Sequence, residues 1–164
     1  MLPRVYIIYQ MTTTNQTHGA NTMANYNNAG SKFNTNMTIV EIAKALRKDI
    51  KAMMKAGRFE GMKVSVRVDR YSMGQALDIT ITKWNGDIMN ADFVKADCDE
   101  RIDRNLQRYV PAARMALATL TALAGQWNYD NSDSMTDYYD VNYAVNVTFD
   151  RDLFEADWAA KKAA

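Results

Sequence analysis

The sequence predicts an α+β fold: a small antiparallel sheet, made of a hairpin plus a third strand, covered by helices on one face. Two observations carry this prediction. Short stretches alternate strictly between apolar and polar residues, as strands with one buried face do, whereas other stretches repeat apolar residues at helical spacing. Because apolar strand faces and helical stripes must bury each other, the helices are expected to pack on the apolar side of the sheet.

Residues 1–36 are predicted to form a disordered or loosely attached polar tail, and residues 37–164 a single domain. From Met11 to Asn36 the chain is rich in Thr and Asn, has no acidic residue and shows no apolar period. The composition changes most sharply at Met37, where the domain is expected to begin. The only histidine, His18, lies in the tail, so we interpret it as incidental rather than as a ligand.

The first helix is predicted to follow Thr38. Thr38 and Glu41 have the spacing of a capping box, and Gly57 stands where a glycine commonly ends a helix. The residues between them repeat apolar side chains at helical spacing. These are Ile39, Ile42, Ala43, Leu46, Ile50, Met53 and Met54.

Five cations lie on the opposite side of this helix, and they are Lys44, Arg47, Lys48, Lys51 and Lys55. They allow two interpretations. The first is an ordinary solvated helix surface. The second is a row of positive charges that binds phosphates or a carboxylate-rich surface.

A β-hairpin is predicted next. The stretch KVSVRVDR alternates valines with polar residues, and ALDITITKW alternates Leu77, Ile79 and Ile81 with polar residues. Between them YSMGQ supplies a turn that contains Gly74, and Asn85–Asp87 is a second turn signal.

The rest of the chain predicts three helices and one strand. A charged run from Asp92 to Tyr109 is expected to be helical until Pro111 interrupts it. AARMALATLTALAG predicts a core helix that ends near Gly125. Val141–Phe149 alternates as a third strand, and Asp152–Ala164 predicts a short final helix.

An acidic loop, Tyr129–Asp140, precedes the third strand and reads YDNSDSMTDYYD. Its Asn, Ser, Thr and Asp residues can build compact turns, so it is either structural or a recognition loop. Its candidate residues are Asp130, Asp133, Asp137, Tyr138, Tyr139 and Asp140. The spacing does not match a calcium-binding EF-hand loop, so no metal is expected.

The composition restricts the function. The one cysteine excludes an internal disulfide and a cysteine-built zinc site, which fits a cytoplasmic protein. No apolar run is long enough to span a membrane, and no phosphate-binding glycine motif is present. With one histidine, no catalytic set is apparent, so neither enzymatic activity nor a cofactor is expected. Residues 38–70 carry a net charge of +5 and residues 126–157 a net charge of −7.

Three stretches together resemble a large polyvalent protein-associated domain, a small α+β module of phages, prophages and conjugative elements. They are IVEIAKALRKDIKA, MKVSVRVDRYSMGQALDITIT and YDNSDSMTDYYDVNYAVNV, and the resemblance covers roughly Met37 to Phe149. That family often has two glycines in the hairpin turn, where this sequence has Met73 and Gly74. The resemblance implies a mobile-element protein without established catalysis.

Two functional hypotheses follow. In the first, the protein is a non-catalytic accessory protein of a phage or mobile element that binds a host defence or nucleic-acid-processing protein in the host cytoplasm. In the second, it binds DNA or RNA through the basic side of the first helix. The residues expected to serve that binding are Lys44, Arg47, Lys48, Lys51, Lys55, Arg67, Arg70 and Tyr71.

Overall fold

The computed structural model describes residues 28–96, 107–133, 135 and 140–164. Within these residues the chain forms, in order, α1 (Ile39–Lys55), β1 (Lys63–Tyr71), β2 (Gly74–Lys83), α2 (Ala91–Lys95), α3 (Pro111–Gly125), β3 (Ala144–Phe149) and α4 (Arg151–Ala163). The strands form one open sheet in the order β1-β2-β3. The predicted α+β class is confirmed.

Helix α1 begins and ends where its sequence signals predict. The Glu41 main-chain N–H donates to the Thr38 hydroxyl at 3.4 Å, and the Thr38 N–H donates to the Glu41 carboxylate at 2.8 Å. These bonds satisfy two N–H groups that the first helical turn leaves without partners. At the other end Gly57 adopts a φ of 81°, a left-handed conformation that glycine reaches without steric cost.

The core lies between α1, α3 and one face of the sheet, which we call the helix-covered face. Along β2 the side chains of Leu77, Ile79 and Ile81 are fully buried there. Helix α1 buries Ile42 and Leu46 in the same cluster. The prediction that helices cover the apolar side of the sheet is therefore confirmed.

The third strand is parallel to its neighbour, so the predicted all-antiparallel sheet is wrong in this respect. Strands β1 and β2 form the expected antiparallel hairpin, with Val66 opposite Ile79. Strand β3 pairs with β2 in parallel, with Leu77 opposite Val145 and Ile81 opposite Phe149. The connection from β2 to β3 contains α2 and α3. Two parallel strands begin at the same end of a sheet, so the chain needs such a crossover to return to that end before β3 starts.

The charged run after Asn90 is only partly helical. Helix α2 ends at Lys95, and residues 97–106 lie outside the described residues. Tyr109 pairs with Met89 in an isolated β-bridge, so the helix predicted to reach Tyr109 is wrong at that end. Val110 is extended because a residue before proline is disfavoured in the helical region, and Pro111 becomes the first residue of α3.

Residues 1–27 of the predicted tail lie outside the described residues, but residues 28–33 lie against the domain. The Gly30 N–H donates to the Asn128 carbonyl and the Lys32 N–H to the Gln126 carbonyl, both at 2.7 Å. Phe33 packs edge-on against Tyr129, with 4.9 Å between ring centroids. This part of the chain therefore contacts the segment that follows α3.

Candidate functional site

Four lysines of α1 form an exposed row, which we call the lysine stripe: Lys44, Lys48, Lys51 and Lys55. The stripe spans roughly 16 Å at the usual helical rise. Helix α1 buries its other side, so the lysines point away from the sheet. None of them forms an ion pair with a carboxylate in the part of the chain that the structure describes.

Arg47 does not belong to this row. Its guanidinium Nη2 donates to the main-chain carbonyl of Val66 at 2.5 Å, so the side chain reaches across to β1. Among the described residues β1 is an edge strand of the sheet, so some of its carbonyls have no neighbouring strand to bond there. Arg47 therefore covers one position of this edge.

The three predicted binding residues of the hairpin lie apart from the lysine stripe. Side chains alternate between the two faces of a strand, and Val66 and Val68 face the helices. Arg67 and Tyr71 consequently point to the second face, which also carries the exposed Asn146. Arg70 shares the helix-covered face but stands exposed at the end of β1. The eight predicted residues are thus distributed over both sides of the sheet.

The described carboxylates of the acidic loop hold its backbone in turns. Asp130 Oδ1 accepts the Ser132 N–H at 3.0 Å, and Asp133 Oδ1 accepts the Met135 N–H at 2.9 Å. Hydrogen bonds from the Ser132 side chain and main chain lower the pKa of Asp130 from its ordinary value. Asp137, Tyr138 and Tyr139 lie outside the described residues.

The base of the loop is closed by paired backbone segments. Asn131 N–H donates to the Asp140 carbonyl at 2.8 Å, and Asp130 forms a β-bridge with Val141. The Tyr129 hydroxyl donates to Asp140 Oδ1 at 3.0 Å. These contacts support the structural role that the sequence allowed for this loop. The recognition role stays a hypothesis, and the exposed carboxylates of the loop are compatible with it.

The parallel direction of β3 places the base of the acidic loop beside the start of β2, next to the β1–β2 turn. Ala144, the first residue of β3, pairs with Ala76 near the start of β2. Just before these two residues, the Gln75 side-chain amide donates to the Asn142 carbonyl at 3.0 Å. An antiparallel third strand next to β2 would have put the loop at the opposite end of the sheet.

Four apolar side chains of the hairpin end and of the acidic loop with its base are exposed. Met73, in the hairpin turn, is 94% exposed, and Met135, in the acidic loop, is 91% exposed. Tyr71 and Val141 are about half exposed, at 52% and 40%. We call these four residues the sheet-end patch. Sequence reasoning missed the patch, although an apolar residue in the solvent-exposed position of a tight turn was a signal available at Met73.

A concave surface lies between the segment before α3 and helix α4. An open cleft of about 330 Å³ is lined by Arg108, Phe154, Glu155 and Trp158. The Arg108 guanidinium sits 4.9 Å from the centre of the Phe154 ring, and Glu155 pairs with Arg151 at 2.6 Å. These groups are therefore already engaged with one another within the protein.

The described part of the chain contains neither a candidate metal site nor a candidate membrane-spanning helix. It contains no group of three or more His, Cys, Asp or Glu side chains placed to hold a metal ion. None of its helices is both long enough and apolar enough to cross a membrane.

The comparisons with known proteins identify no relative. No family model matches the chain, and no curated protein or solved structure matches it.

Proposed function

We propose that this protein is a non-catalytic accessory protein of a phage or mobile element that acts by binding a host protein of defence or nucleic-acid processing. The mobile-element part of this proposal depends on the sequence resemblance described above. The non-catalytic part is supported by a sequence with one histidine, one cysteine and no phosphate-binding motif. The binding part is supported by the surface of the protein.

The observation that carries the proposal is the sheet-end patch. Two methionines are more than 90% exposed, Met73 in the hairpin turn and Met135 in the acidic loop, and Tyr71 and Val141 are about half exposed. The hairpin is joined to the residues just after the loop by the bond from Gln75 to the Asn142 carbonyl. Exposed apolar groups with a polar rim are typical of protein–protein interaction sites. Methionine is also suited to such a surface, because its flexible side chain adapts to different partners.

The test is capture of host proteins from a bacterial lysate treated with nuclease, using the immobilised protein. Met73→Ser should lose the captured partner, because it removes the most exposed apolar side chain of the patch. Met115→Ser is the matched control, since Met115 is 63% exposed but lies on α3 outside the patch. Equal capture by both variants would contradict the proposed surface.

A second candidate function, nucleic-acid binding, is favoured by the lysine stripe. Its four lysines carry no ion pair to a described carboxylate, so they are free to contact phosphates. Each neutralised phosphate releases counterions, so such binding should weaken steeply as salt rises.

Mobility shift of DNA and RNA at low salt tests this second candidate. Changing all four stripe lysines to glutamine should abolish the shift. The matched control changes four exposed lysines outside α1 to glutamine, and these are Lys63, Lys83, Lys95 and Lys162. A shift that survives the stripe variant would exclude the stripe as the binding surface.

A further inference from the structure

The outer edge of β1 carries main-chain groups that can bond to a further strand. Strand β1 pairs with β2 on one side, and no other strand pairs with it among the described residues. The Val66 carbonyl, which accepts the Arg47 guanidinium, points to the outer side. Successive residues of an antiparallel pair direct their main-chain groups alternately toward the partner strand and away from it. The N–H and C=O groups of Val64, Val68 and Arg70 therefore also point outward, and no described residue bonds them.

Cations lie on both sides of this edge. Arg47 reaches the edge from α1, and its neighbours on the helix surface are Lys44, three residues before it, and Lys51, four residues after it. These two lysines consequently belong to the side of α1 that is nearest to the edge. Arg67 is exposed on the second face of β1. A strand added here would have positive charge beside both of its faces.

The carboxylates of α1 are engaged elsewhere in the protein. Asp49 Oδ2 accepts Lys32 Nζ at 2.6 Å and Trp127 Nε1 at 3.0 Å. Glu41 is bonded within the capping box. Asp69 is the carboxylate of β1 itself; it is exposed on the second face and forms no ion pair with a described cation. The charge beside the edge is therefore positive, with Asp69 as the group that opposes it.

We propose that the outer edge of β1 binds an extended acidic segment of a partner protein, which adds a strand to the sheet. The outward-facing main-chain groups bond to the segment, and its carboxylates pair with Lys44, Lys51 and Arg67. A main-chain N–H of the segment replaces Arg47 at the Val66 carbonyl. Nucleic acid fits this edge less well, because its phosphates only accept hydrogen bonds, whereas the edge presents donors and acceptors. The edge is distinct from the sheet-end patch, so the inference goes beyond the proposed function.

The test uses fluorescein-labelled peptides that repeat Glu-Thr, with Gln-Thr repeats, Lys-Thr repeats and a single-stranded oligothymidylate as comparisons. Binding to the full chain is measured by fluorescence anisotropy at low salt, and the Glu-Thr peptide should bind most tightly. Lys44→Gln combined with Lys51→Gln should weaken its binding about three- to tenfold, and Asp69→Asn should strengthen it about twofold. The matched control, Lys95→Gln combined with Lys162→Gln, should change it less than about twofold, because these lysines lie on α2 and α4.

Hydrogen exchange followed by NMR locates the contact in the unchanged protein. The Glu-Thr peptide should slow exchange of the Val64, Val68 and Arg70 N–H groups, because the added strand accepts them as donors. At a peptide concentration about ten times Kd the slowing should be about tenfold. The N–H groups of Arg67 and Asp69, which point toward β2, should change less.

A pair of variants isolates one main-chain donor. Arg70→Pro and Arg70→Gln both remove the guanidinium, but only proline also removes the outward N–H. The Glu-Thr peptide should therefore bind Arg70→Pro about two- to fivefold more weakly than Arg70→Gln.

The outcomes separate this inference from the alternatives. Tighter binding of the Glu-Thr peptide, together with slower exchange at Val64, Val68 and Arg70, supports it. Equal binding of the Glu-Thr and Gln-Thr peptides overturns it, and so does binding that leaves exchange at these three N–H groups unchanged. Oligothymidylate that binds as tightly as the peptide and displaces it also overturns it, because the cations then serve nucleic acid. Lysate capture by Met73→Ser tests the sheet-end patch, so the proposed function and this inference can fail independently.

Discussion

Substitution of Gly30 by alanine should destabilise the domain, because this residue passes directly over the end of α3. A Cβ atom at position 30 would lie 2.2 Å from the Gly125 carbonyl oxygen and 2.5 Å from the Gln126 carbonyl oxygen. Both are main-chain atoms, so neither can rotate away as a side chain could. Residues 28–33 must then either stay in place under compression or separate from the domain.

Both responses cost a similar amount. Compression of a well-packed site typically costs about 1–3 kcal/mol. Separation loses the two main-chain hydrogen bonds made by Gly30 and Lys32, at about 0.5–1.5 kcal/mol each, together with the contact of Phe33 on Tyr129. We therefore expect a loss of about 2 kcal/mol, or roughly 5–10 °C in melting temperature for a domain of this size.

Urea unfolding followed by far-UV circular dichroism measures this loss. The matched control is Gly125→Ala. Gly125 supplies the carbonyl that Gly30 contacts, but a Cβ on Gly125 itself would meet no atom within 4 Å. That control should keep its stability or gain slightly, since alanine is the better helix former.

The result that would refute the reasoning is an unfolding midpoint for Gly30→Ala equal to that of the unchanged protein. A second comparison is independent of the substitution. A chain that starts at Asn28 should keep the stability of the full chain, whereas one that starts at Met37 should lose about 2 kcal/mol with the same contacts. Equal stability of the two chains would show that residues 28–36 add nothing to the fold.

Three further predictions concern single side chains. Asp133→Ala should lower the free energy of unfolding in urea by about 1 kcal/mol because it removes the acceptor of the Met135 N–H, whereas Asp69→Ala should lower it little. Equal effects of the two substitutions would show that the Asp133 carboxylate has no structural role. Arg47→Met keeps the apolar stem but leaves a β1 carbonyl without its donor, so stability should fall by about 1 kcal/mol, and an unchanged midpoint would show that water replaces the guanidinium. Burial raises the pKa of Tyr143, so the folded state keeps the phenol proton after the unfolded chain has begun to lose it. The stability that this group contributes should be full below about pH 10 and should fall as the pH rises further. In Tyr143→Phe the free energy of unfolding should fall less steeply above that pH.

The boundaries of α1 and the hairpin are determined by the sequence alone, because their signals are local. Thr38 and Glu41 are three residues apart and bond to each other's main chain, so no distant residue is needed to start the helix. The alternation of Leu77, Ile79 and Ile81 likewise determines which strand face is apolar. Short-range periodicity thus predicted the core side of the sheet as well as the residues of the lysine stripe.

The direction of β3 was decided only by the tertiary structure. Alternation reads the same in both directions along a strand, so Val145 and Val147 predict a buried face without showing which way the strand runs. That direction depends on the path that the chain takes through α2 and α3 after β2. It brings the base of the acidic loop to Gln75, at the start of β2.

The environment of individual side chains also required the tertiary structure. In the sequence Arg47 looks like a fifth member of the lysine stripe, yet it bonds to Val66, which is 19 residues away. Gly30 looks like part of a featureless polar tail, yet it lies against the end of α3 with no room for a side chain. Both contacts join segments that are distant in the chain, and local patterns carry no information about such pairs because the packing of the whole domain creates them.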